Sequence, residues 1–186
     1  MTSINKEKTD AIETINEFIA SDDKLFILKG KAGTGKTTII TKIFSNPIYS
    51  EKKIVMSAPT NKAVAVLQNM LKETFENIEF RTIHKLCKIK RKINSDGVQS
   101  FNLNECPKSQ RNSIYSYDII IIDEASMISM DIFIILVNLS KKIKGKIIFV
   151  GDECQLPPIN EPFSKIFDPN FNYNIKSLTL NNIERY

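Results

Sequence analysis

The hydrophobic positions of this 186-residue chain follow two patterns. In some segments apolar residues recur at steps of three and four, which is typical of amphipathic helices. Other segments are short runs that are apolar at every position, which is typical of strands buried on both faces of a parallel sheet. The patterns predict helices at 5–20, 36–44, 62–76 and 131–142, and strands at 25–28, 54–56, 119–122 and 147–150. Their alternation indicates an α/β fold in which helices flank a parallel sheet.

Two of the predicted helices differ in how they should pack. In helix 62–76 five apolar residues are expected to share one buried face: Ala63, Leu67, Met70, Leu71 and Phe75. Helix 131–142 is apolar nearly all round, which favours a position between other layers.

Residues 88–112 interrupt the alternation. An Asp-Gly pair at 96–97 lies between two strand-like arms, 88–93 and 98–103, and this arrangement predicts a β-hairpin. A plain loop is the alternative. We therefore expect one main α/β domain at 1–87 and 113–186, with a small inserted hairpin and loop at 88–112.

The composition narrows the class of protein. Hydrophobic residues make up 42% and charged residues 25%, which is ordinary for a globular domain and excludes wholesale disorder. Lys and Arg exceed Asp and Glu by 26 to 21, a net charge of +5 that permits binding to a polyanion. No apolar run could span a bilayer, and the N-terminus has no apolar core of a secretory signal. Three widely spaced cysteines and one histidine predict neither a local zinc site nor a disulfide framework, so we expect a reducing, cytoplasmic setting.

The segment 30–37, Gly-Lys-Ala-Gly-Thr-Gly-Lys-Thr, matches G-x-x-x-x-G-K-[ST] between a predicted strand and a predicted helix. In such a P-loop the glycines let backbone N–H groups point at phosphate oxygens, and the helix N-terminus adds its positive dipole end. Lys36 is expected to reach the β- and γ-phosphates, and the Thr37 hydroxyl to bind Mg²⁺. The expected nucleotide-binding residues are Gly30, Ala32, Gly33, Thr34, Gly35, Lys36, Thr37 and Thr38.

Two carboxylates follow the apolar run 119–122. Open α/β sheets bind ligands at the carboxyl ends of their strands, where Asp123 and Glu124 would lie. Asp123 is a candidate metal ligand, and Glu124 a candidate general base for the attacking water. By itself such a pair would more often cap a helix, and the P-loop upstream is what favours the catalytic interpretation.

A third polar segment follows the strand 147–150. Gly151 and Asp152 predict a turn, and the two prolines at 157–158 stop the chain from continuing as a helix. This stiff loop would hold the side chain of Gln155 near the nucleotide.

Five motifs in this order resemble the first RecA-like domain of superfamily 1 helicases, of the 5′-to-3′ branch typified by RecD and the phage Dda helicase. The motifs are the P-loop at 30–37, Ser-Ala-Pro-Thr-Asn-Lys-Ala-Val at 57–64, Thr-Ile-His at 82–84, Asp-Glu-Ala-Ser-Met at 123–127 and Gly-Asp-Glu-Cys-Gln-Leu-Pro-Pro at 151–158. The resemblance covers nearly the whole chain and implies a RecA-like P-loop NTPase that uses ATP and Mg²⁺.

The resemblance also implies roles for single residues. Gln155 would sense the γ-phosphate, and Arg185, in a segment resembling the next motif, would reach it. The residues expected along single-stranded DNA are Pro59, Thr60, Asn61, Thr82 and His84. For His84 a structural role in the fold is the alternative. The hairpin falls where the family inserts its strand-separating pin, so Phe101 could stack on a base, although a small satellite core is the favoured alternative. Six basic residues and no acid between 81 and 92 fit a phosphate track, with a solvated charged face as the alternative.

The sequence departs from the family pattern twice. Lys8 stands where the family usually has a Gln that reads adenine, and a lysine offers donors only, so we expect a weak preference for ATP over GTP. The chain ends after Tyr186, before a second RecA-like domain that supplies further arginines and the rest of the DNA track. We expect that domain in the same longer chain or in a partner; a fragment and a stand-alone module are both open.

Together these features predict the N-terminal motor domain of an ATP-dependent DNA helicase, weakly active alone and acting in DNA repair, recombination or replication. A nucleotide-gated DNA-binding module without motor activity and a viral-type RNA helicase domain are the alternatives. The expected setting is a bacterial, phage or viral one, with a nucleus or an organelle as the alternative.

Overall fold

A computed structural model describes residues 3–71, 75, 77–93, 99–102, 113–168, 170–171 and 175–183. The helices are α1 (Ser3–Ala20), α2 (Lys36–Phe44), α3 (Asn61–Leu71), α4 (Ile83–Cys87) and α5 (Met130–Ser140). The strands are β1 (Leu25–Gly30), β2 (Ile54–Ala58), β3 (Ile78–Thr82), β4 (Lys90–Ile93), β5 (Gln99–Asn102), β6 (Ile119–Ile122), β7 (Lys146–Gly151) and β8 (Lys176–Leu180).

Six of these strands form one parallel sheet in the order β3-β2-β6-β7-β1-β8. The predicted α/β class is therefore confirmed. Strand β1 lies between β7 and β8, whereas β2 lies beyond β7 and β6, so the chain crosses over two strand positions after the P-loop. Because all six strands are parallel, the segments that follow them leave the sheet at one common edge.

The sheet is covered on both faces. Strand β6 shows this most directly, because Ile119 and Ile121 pack into the core beneath α1, α2 and α3, while Ile120 and Ile122 pack into the core beneath α4 and α5. All four side chains are almost fully buried. Full burial of one such side chain contributes about 1.5–3 kcal/mol, which explains why a run with no polar position forms the middle of the sheet.

Helix α3 differs from its prediction. It ends at Leu71, and Phe75, expected on the last turn, lies outside the helix although it still packs into the core. Met70, expected on the buried face, is 59% exposed. Leu67 and Leu71 mark the side of the helix that faces the sheet. At about 100° per residue, Met70 points roughly 80° away from the midpoint between them.

Strand β3 and helix α4 were not predicted from the hydrophobic pattern. Strand β3 is an edge strand whose polar residues have partners: Glu79 accepts hydrogen bonds from the Arg81 guanidinium (2.7 Å) and from the Tyr117 hydroxyl (2.9 Å). Helix α4 spans five residues, too few to show a helical period.

The second sheet is a two-stranded antiparallel one. Strands β4 and β5 pair from Lys90 with Asn102 to Ile93 with Gln99. The predicted Asp-Gly turn between them lies outside the described residues. Among the described helices, none is both long and apolar enough to cross a membrane.

Candidate active site at the carboxyl edge of the sheet

The expected site residues lie on segments that follow neighbouring strands of the parallel sheet. The P-loop follows β1, Asp123 and Glu124 follow β6, and Gln155 belongs to the loop after β7. Strands β6, β7 and β1 are consecutive in the sheet. The three segments therefore meet at one place, although Ala32 of the P-loop and Asp152 after β7 are 120 residues apart in sequence.

The P-loop has the backbone geometry that its glycines permit. Gly33 and Gly35 have φ angles of 79° and 82°, in the left-handed region that side chains disfavour. A Cβ on Gly30 would lie 2.5 Å from Oγ1 of Thr34, which is buried and donates to the Lys31 carbonyl (2.9 Å). The loop is thus tightly folded at its base, while Ala32 and Gly33 at its tip are exposed to solvent.

Helix α2 begins at Lys36, so Thr37 and Thr38 belong to its first turn. Their N–H groups are among the first four of the helix, which have no carbonyl partner within it. Because the helix dipole adds positive charge there, this turn is suited to bind a phosphate group.

The side chain of Lys36 folds back on the P-loop. Its Nζ donates to the carbonyls of Gly30 (2.5 Å) and Lys31 (3.0 Å). Burial lowers the pKa of Lys36, and the attraction of Asp152, Asp123 and Glu124, in that order, opposes the shift. One ammonium group therefore lies within the electrostatic field of three carboxylates.

Asp123 is fixed by the main chain: its N–H donates to the carbonyl of Ser57 at the end of β2 (2.8 Å). Burial raises the pKa of Asp123, against a backbone hydrogen bond from Glu124 and the charge of Lys36. Thr37 and Asp123 offer a hydroxyl and carboxylate oxygens, and oxygen ligands are what Mg²⁺ prefers. The donor set fits a magnesium ion.

Glu124 has a φ of 54° and a ψ of 42°, an uncommon left-handed conformation for a residue with a side chain. Burial raises the pKa of Glu124, and the like charges of Asp123 and Asp152 add to the rise while Lys36 opposes it. A carboxylate with a raised pKa is a stronger proton acceptor than an ordinary one. Strained backbone of this kind clusters at active sites.

Asp152 is the residue at this edge that the sequence did not single out, because Gly-Asp was interpreted as a turn. Its side chain is 5% exposed and accepts two backbone hydrogen bonds, from Ala32 of the P-loop (2.9 Å) and from Cys154 (3.0 Å). The Asp152 carbonyl also accepts from the N–H of Gln155 (3.1 Å), whose side chain is exposed.

The residues expected along single-stranded DNA lie at the same edge, after β2 and β3. Thr60 and Asn61 are exposed, Pro59 is half-buried, and Oγ1 of Thr60 accepts from the N–H of Ala63 in the first turn of α3 (3.1 Å). The exposed side chains of Thr60 and Asn61 are therefore accessible to a ligand.

Thr82 and His84 lie at the start of helix α4. Thr82 is 8% exposed, and its hydroxyl accepts from the N–H of Lys85 (3.4 Å), so this side chain caps the helix. His84 is half-buried. Arg185 and the side chain of Phe101 lie outside the described residues.

Lys8, at the position of the expected adenine-reading residue, lies in α1 and is 7% exposed. Its neighbour Glu7 accepts hydrogen bonds from the N–H groups of Asn181 (2.8 Å) and Asn182 (3.2 Å), just beyond β8. Burial acts to raise the pKa of Glu7, but these hydrogen bonds outweigh it and the pKa is lowered. Helix α1 is thus joined to the segment that leads toward Arg185.

Comparison with known proteins assigns the chain to a family. The family profile described as "AAA domain" matches residues 6–186. An uncharacterized protein of Acanthamoeba polyphaga mimivirus is 35% identical over 178 residues, which are 88% of this chain and 35% of that protein. The RecBCD enzyme subunit RecD of Buchnera aphidicola subsp. Schizaphis graminum is 38% identical over 172 residues, 83% of this chain and 26% of the subunit. The chain thus spans about a third or less of the length of these relatives.

Among solved structures, the crystal structure of Pif1 helicase from Candida albicans matches with a TM-score of 0.64 and 16% identity, over 99% of this chain and 40% of that one. At this identity the likeness concerns the fold, which is the RecA-like P-loop fold that the strand order and the P-loop indicate. The chain therefore belongs to the AAA domain family, as a RecA-like domain of the RecD-like superfamily 1 helicases.

Proposed function

We propose that the chain is the N-terminal motor domain of an ATP-dependent DNA helicase, which couples ATP hydrolysis to 5′-to-3′ translocation on single-stranded DNA and to duplex unwinding. The observation that carries the proposal is the position of Lys36, at the base of an open P-loop and in the field of Asp123, Glu124 and Asp152. This arrangement suits a nucleotide phosphate better than it suits a structural ion pair, because Lys36 donates to loop carbonyls and keeps its charge near the phosphate cradle.

In this proposal the N–H groups of the P-loop and of Thr37 and Thr38 bind the phosphates. Lys36 exchanges its two carbonyl partners for oxygens of the β- and γ-phosphates. Glu124 accepts the proton of a water molecule whose oxygen bonds to the γ-phosphorus, while the bond to the β–γ bridging oxygen breaks. Gln155 senses whether the γ-phosphate is present. Thr37 and Asp123 would hold Mg²⁺, which neutralises phosphate charge when it is bound.

The DNA path belongs to the proposal as well. Exposed Thr60 and Asn61 and the basic stretch 81–92 support contact with a phosphodiester backbone. We propose the division into a motor domain at 1–87 and 113–186 and a pin-like insertion at 88–112, with Phe101 near the fork. The roles of Pro59, Thr82 and His84 along the strand are proposed on motif position.

A single RecA-like domain should be a weak enzyme. In this class the nucleotide lies between two domains, and translocation is their relative closure. An arginine from outside the P-loop is worth about 10³–10⁵ in the turnover of related NTPases. Arg185 and a second domain, in the same chain or in a partner, would supply that charge. The processes served would be DNA repair, recombination or replication, in the cytoplasm of a bacterial, phage or viral system.

The proposal is tested by measuring nucleotide binding and phosphate release with Mg-ATP, with and without single-stranded DNA. Lys36→Ala should lose both binding and turnover. Lys42→Ala is the matched control, since Lys42 lies in the last turn of the same helix and is exposed. Glu124→Gln should keep binding and lose turnover. Unchanged ATP binding in Lys36→Ala would exclude this site.

A second candidate is a nucleotide-gated DNA-binding module without motor activity, in which the P-loop and the exposed Thr60 and Asn61 would bind their ligands without hydrolysis. Under that alternative the wild type releases no phosphate, so Glu124→Gln changes nothing. Competition between single-stranded DNA and RNA of the same sequence decides between a DNA helicase domain and a viral-type RNA helicase domain. Vigorous DNA-stimulated turnover by residues 1–186 would contradict the expected weak activity.

A further inference from the structure

Asp152 joins two loops that belong to different strands. The N–H of Ala32, in the P-loop after β1, donates to its Oδ2 (2.9 Å). The N–H of Cys154, in the Gln155 loop after β7, donates to its Oδ1 (3.0 Å). The two oxygens of one carboxylate are thus divided between the loops.

The sheet explains why one side chain can reach both. Strands β1 and β7 are neighbours, and Lys29 pairs with Gly151 at their carboxyl ends. The two loops therefore leave the sheet side by side. A Cβ on Gly151 would lie 2.9 Å from Cζ of Phe167 and 3.1 Å from the Ala125 nitrogen, so the chain is closely packed where the Gln155 loop begins.

The chemistry of the link requires a carboxylate. A carboxylate is acceptor-only and can take an N–H on each oxygen, whereas an asparagine side chain has one acceptor and one donor. Asparagine at this position could keep either the Ala32 or the Cys154 bond and would turn an NH₂ group toward the other N–H. Hydrogen bonds to a charged acceptor are about twice as strong as neutral ones, and the burial of Asp152 limits competition from water.

We propose that Asp152 is a positioning residue that couples the phosphate-binding loop to the Gln155 loop, so that a change in either loop on γ-phosphate binding is transmitted to the other. The inference rests on the proposed function for the identity of the ligand. Its structural basis is the shared carboxylate.

The coupling makes a specific difference to nucleotide binding. Through this link, a contact of the Gln155 loop with the γ-phosphate also holds the phosphate-binding loop in place, which adds to the preference for ATP over ADP. Removing the link should therefore reduce the discrimination between the two nucleotides. A residue that merely supports the fold would weaken both nucleotides by the same factor.

The test compares dissociation constants for AMP-PNP and ADP, each with Mg²⁺, in the whole chain. We expect Asp152→Asn to reduce the ratio of the two constants by a factor of about ten. Asp118→Asn is the matched control: the Asp118 carboxylate also accepts a backbone N–H, from Lys53 (2.9 Å), but at the amino end of the sheet. This control should keep the wild-type ratio.

A double-mutant cycle with Gln155→Ala separates coupling from support. If Asp152 acts through the Gln155 loop, Asp152→Asn should have no further effect on the ratio in the Gln155→Ala background. An equal loss of affinity for both nucleotides, or a full effect that persists without Gln155, would overturn the inference while nucleotide binding stands. Failure of the wild type to bind either nucleotide would overturn the proposed function and the inference with it.

A measurement on the wild type covers the case in which Asp152→Asn does not fold. Hydrogen exchange should show that AMP-PNP protects the segments 30–34 and 152–156 together, and that ADP protects the first far more than the second. Protection of the P-loop alone by both nucleotides would contradict the coupling.

Discussion

Glu124 is held in a backbone conformation that costs stability, and replacing it should make the protein more stable and inactive. Its φ of 54° and ψ of 42° lie in the left-handed region, where a Cβ approaches the carbonyl oxygen. Glycine avoids this contact. We therefore expect Glu124→Gly to raise the free energy of unfolding although it removes the proposed general base.

The size of the effect has two parts. Relief of the left-handed strain raises the free energy of unfolding by about 1–2 kcal/mol. The greater freedom of glycine in the unfolded chain lowers it by about 0.4–1 kcal/mol. The backbone part is thus a gain of about 1 kcal/mol. The second part is the charge: a carboxyl whose pKa is raised on folding stabilises the protein below its unfolded pKa and loses that contribution as the pH rises through the folded pKa. At pH 7 loss of this charge should therefore add to stability.

Two variants separate the parts. Glu124→Gln removes the charge and keeps the backbone strain. Lys88→Gly relieves the same kind of backbone strain away from the site, because Lys88 has a φ of 55° and a ψ of 35° at the end of α4, outside the P-loop and its carboxylates. Urea denaturation followed by circular dichroism gives each free energy, provided the slope with denaturant stays constant.

The expected result is that Glu124→Gly exceeds Glu124→Gln in stability by the gain seen in Lys88→Gly, within about 0.5 kcal/mol. Basal ATP hydrolysis should disappear in both Glu124 variants and persist in Lys88→Gly. A Glu124→Gly protein less stable than Glu124→Gln, beside a stabilised Lys88→Gly, would refute the assignment of strain to this site.

Four further outcomes are expected. Gly151→Ala should cost about 1–3 kcal/mol in urea denaturation, because its Cβ would meet Phe167 at 2.9 Å; wild-type stability would contradict the close packing. Burial acts to raise the pKa of Glu79, but hydrogen bonds from Arg81 and Tyr117 outweigh it, so the pKa is lowered. As the pH falls below 4.5, the free energy of unfolding of the wild type should therefore fall more steeply than that of Glu79→Gln. Equal slopes would refute this. Burial and the hydrogen bond to Glu79 raise the pKa of Tyr117 to about 12. The contribution of Tyr117 to the free energy of unfolding should therefore persist to pH 10 and be lost as the pH rises through 12, as an alkaline titration would measure. Lys8→Gln should strengthen a weak preference for ATP over GTP in binding assays; a strong preference in the wild type would exclude a role for Lys8 in weakening it.

The strands that the hydrophobic pattern predicted are those where burial leaves no polar position. The run 119–122 is isoleucine throughout, and as β6 it lies in the middle of the sheet with both faces covered. Strand β3 was not predicted because it is an edge strand with polar residues, in which Glu79 accepts hydrogen bonds from Arg81 and from Tyr117. Those partners are set by tertiary structure, so a pattern of apolar residues along one segment cannot reveal them.

The candidate site divides in the same way. The P-loop could be recognised because its glycines, its lysine and the start of α2 form one continuous segment. Asp152 could not be recognised from the sequence, because an aspartate after a glycine is typical of any turn. Its hydrogen-bond partner Ala32 is 120 residues away. The left-handed conformation of Glu124 also had no local signal, since no glycine or asparagine marks it.

The charge at this edge bears on why one domain should bind a nucleotide better than it hydrolyses one. Lys36 lies in the electrostatic field of Asp123, Glu124 and Asp152, so these three carboxyl groups outnumber the one ammonium group among them. A nucleoside triphosphate adds more negative charge, and in a partly buried site such charge is poorly screened. The P-loop N–H groups and a bound cation can offset it in the ground state. The transition state develops further charge on the leaving oxygen, and stabilising it needs positive groups aimed at that position. The charge of Lys36 acts on both Asp123 and Glu124. Because Lys36 is assigned to the β- and γ-phosphates, we expect turnover to depend on a further cation, from Arg185 or from a second domain.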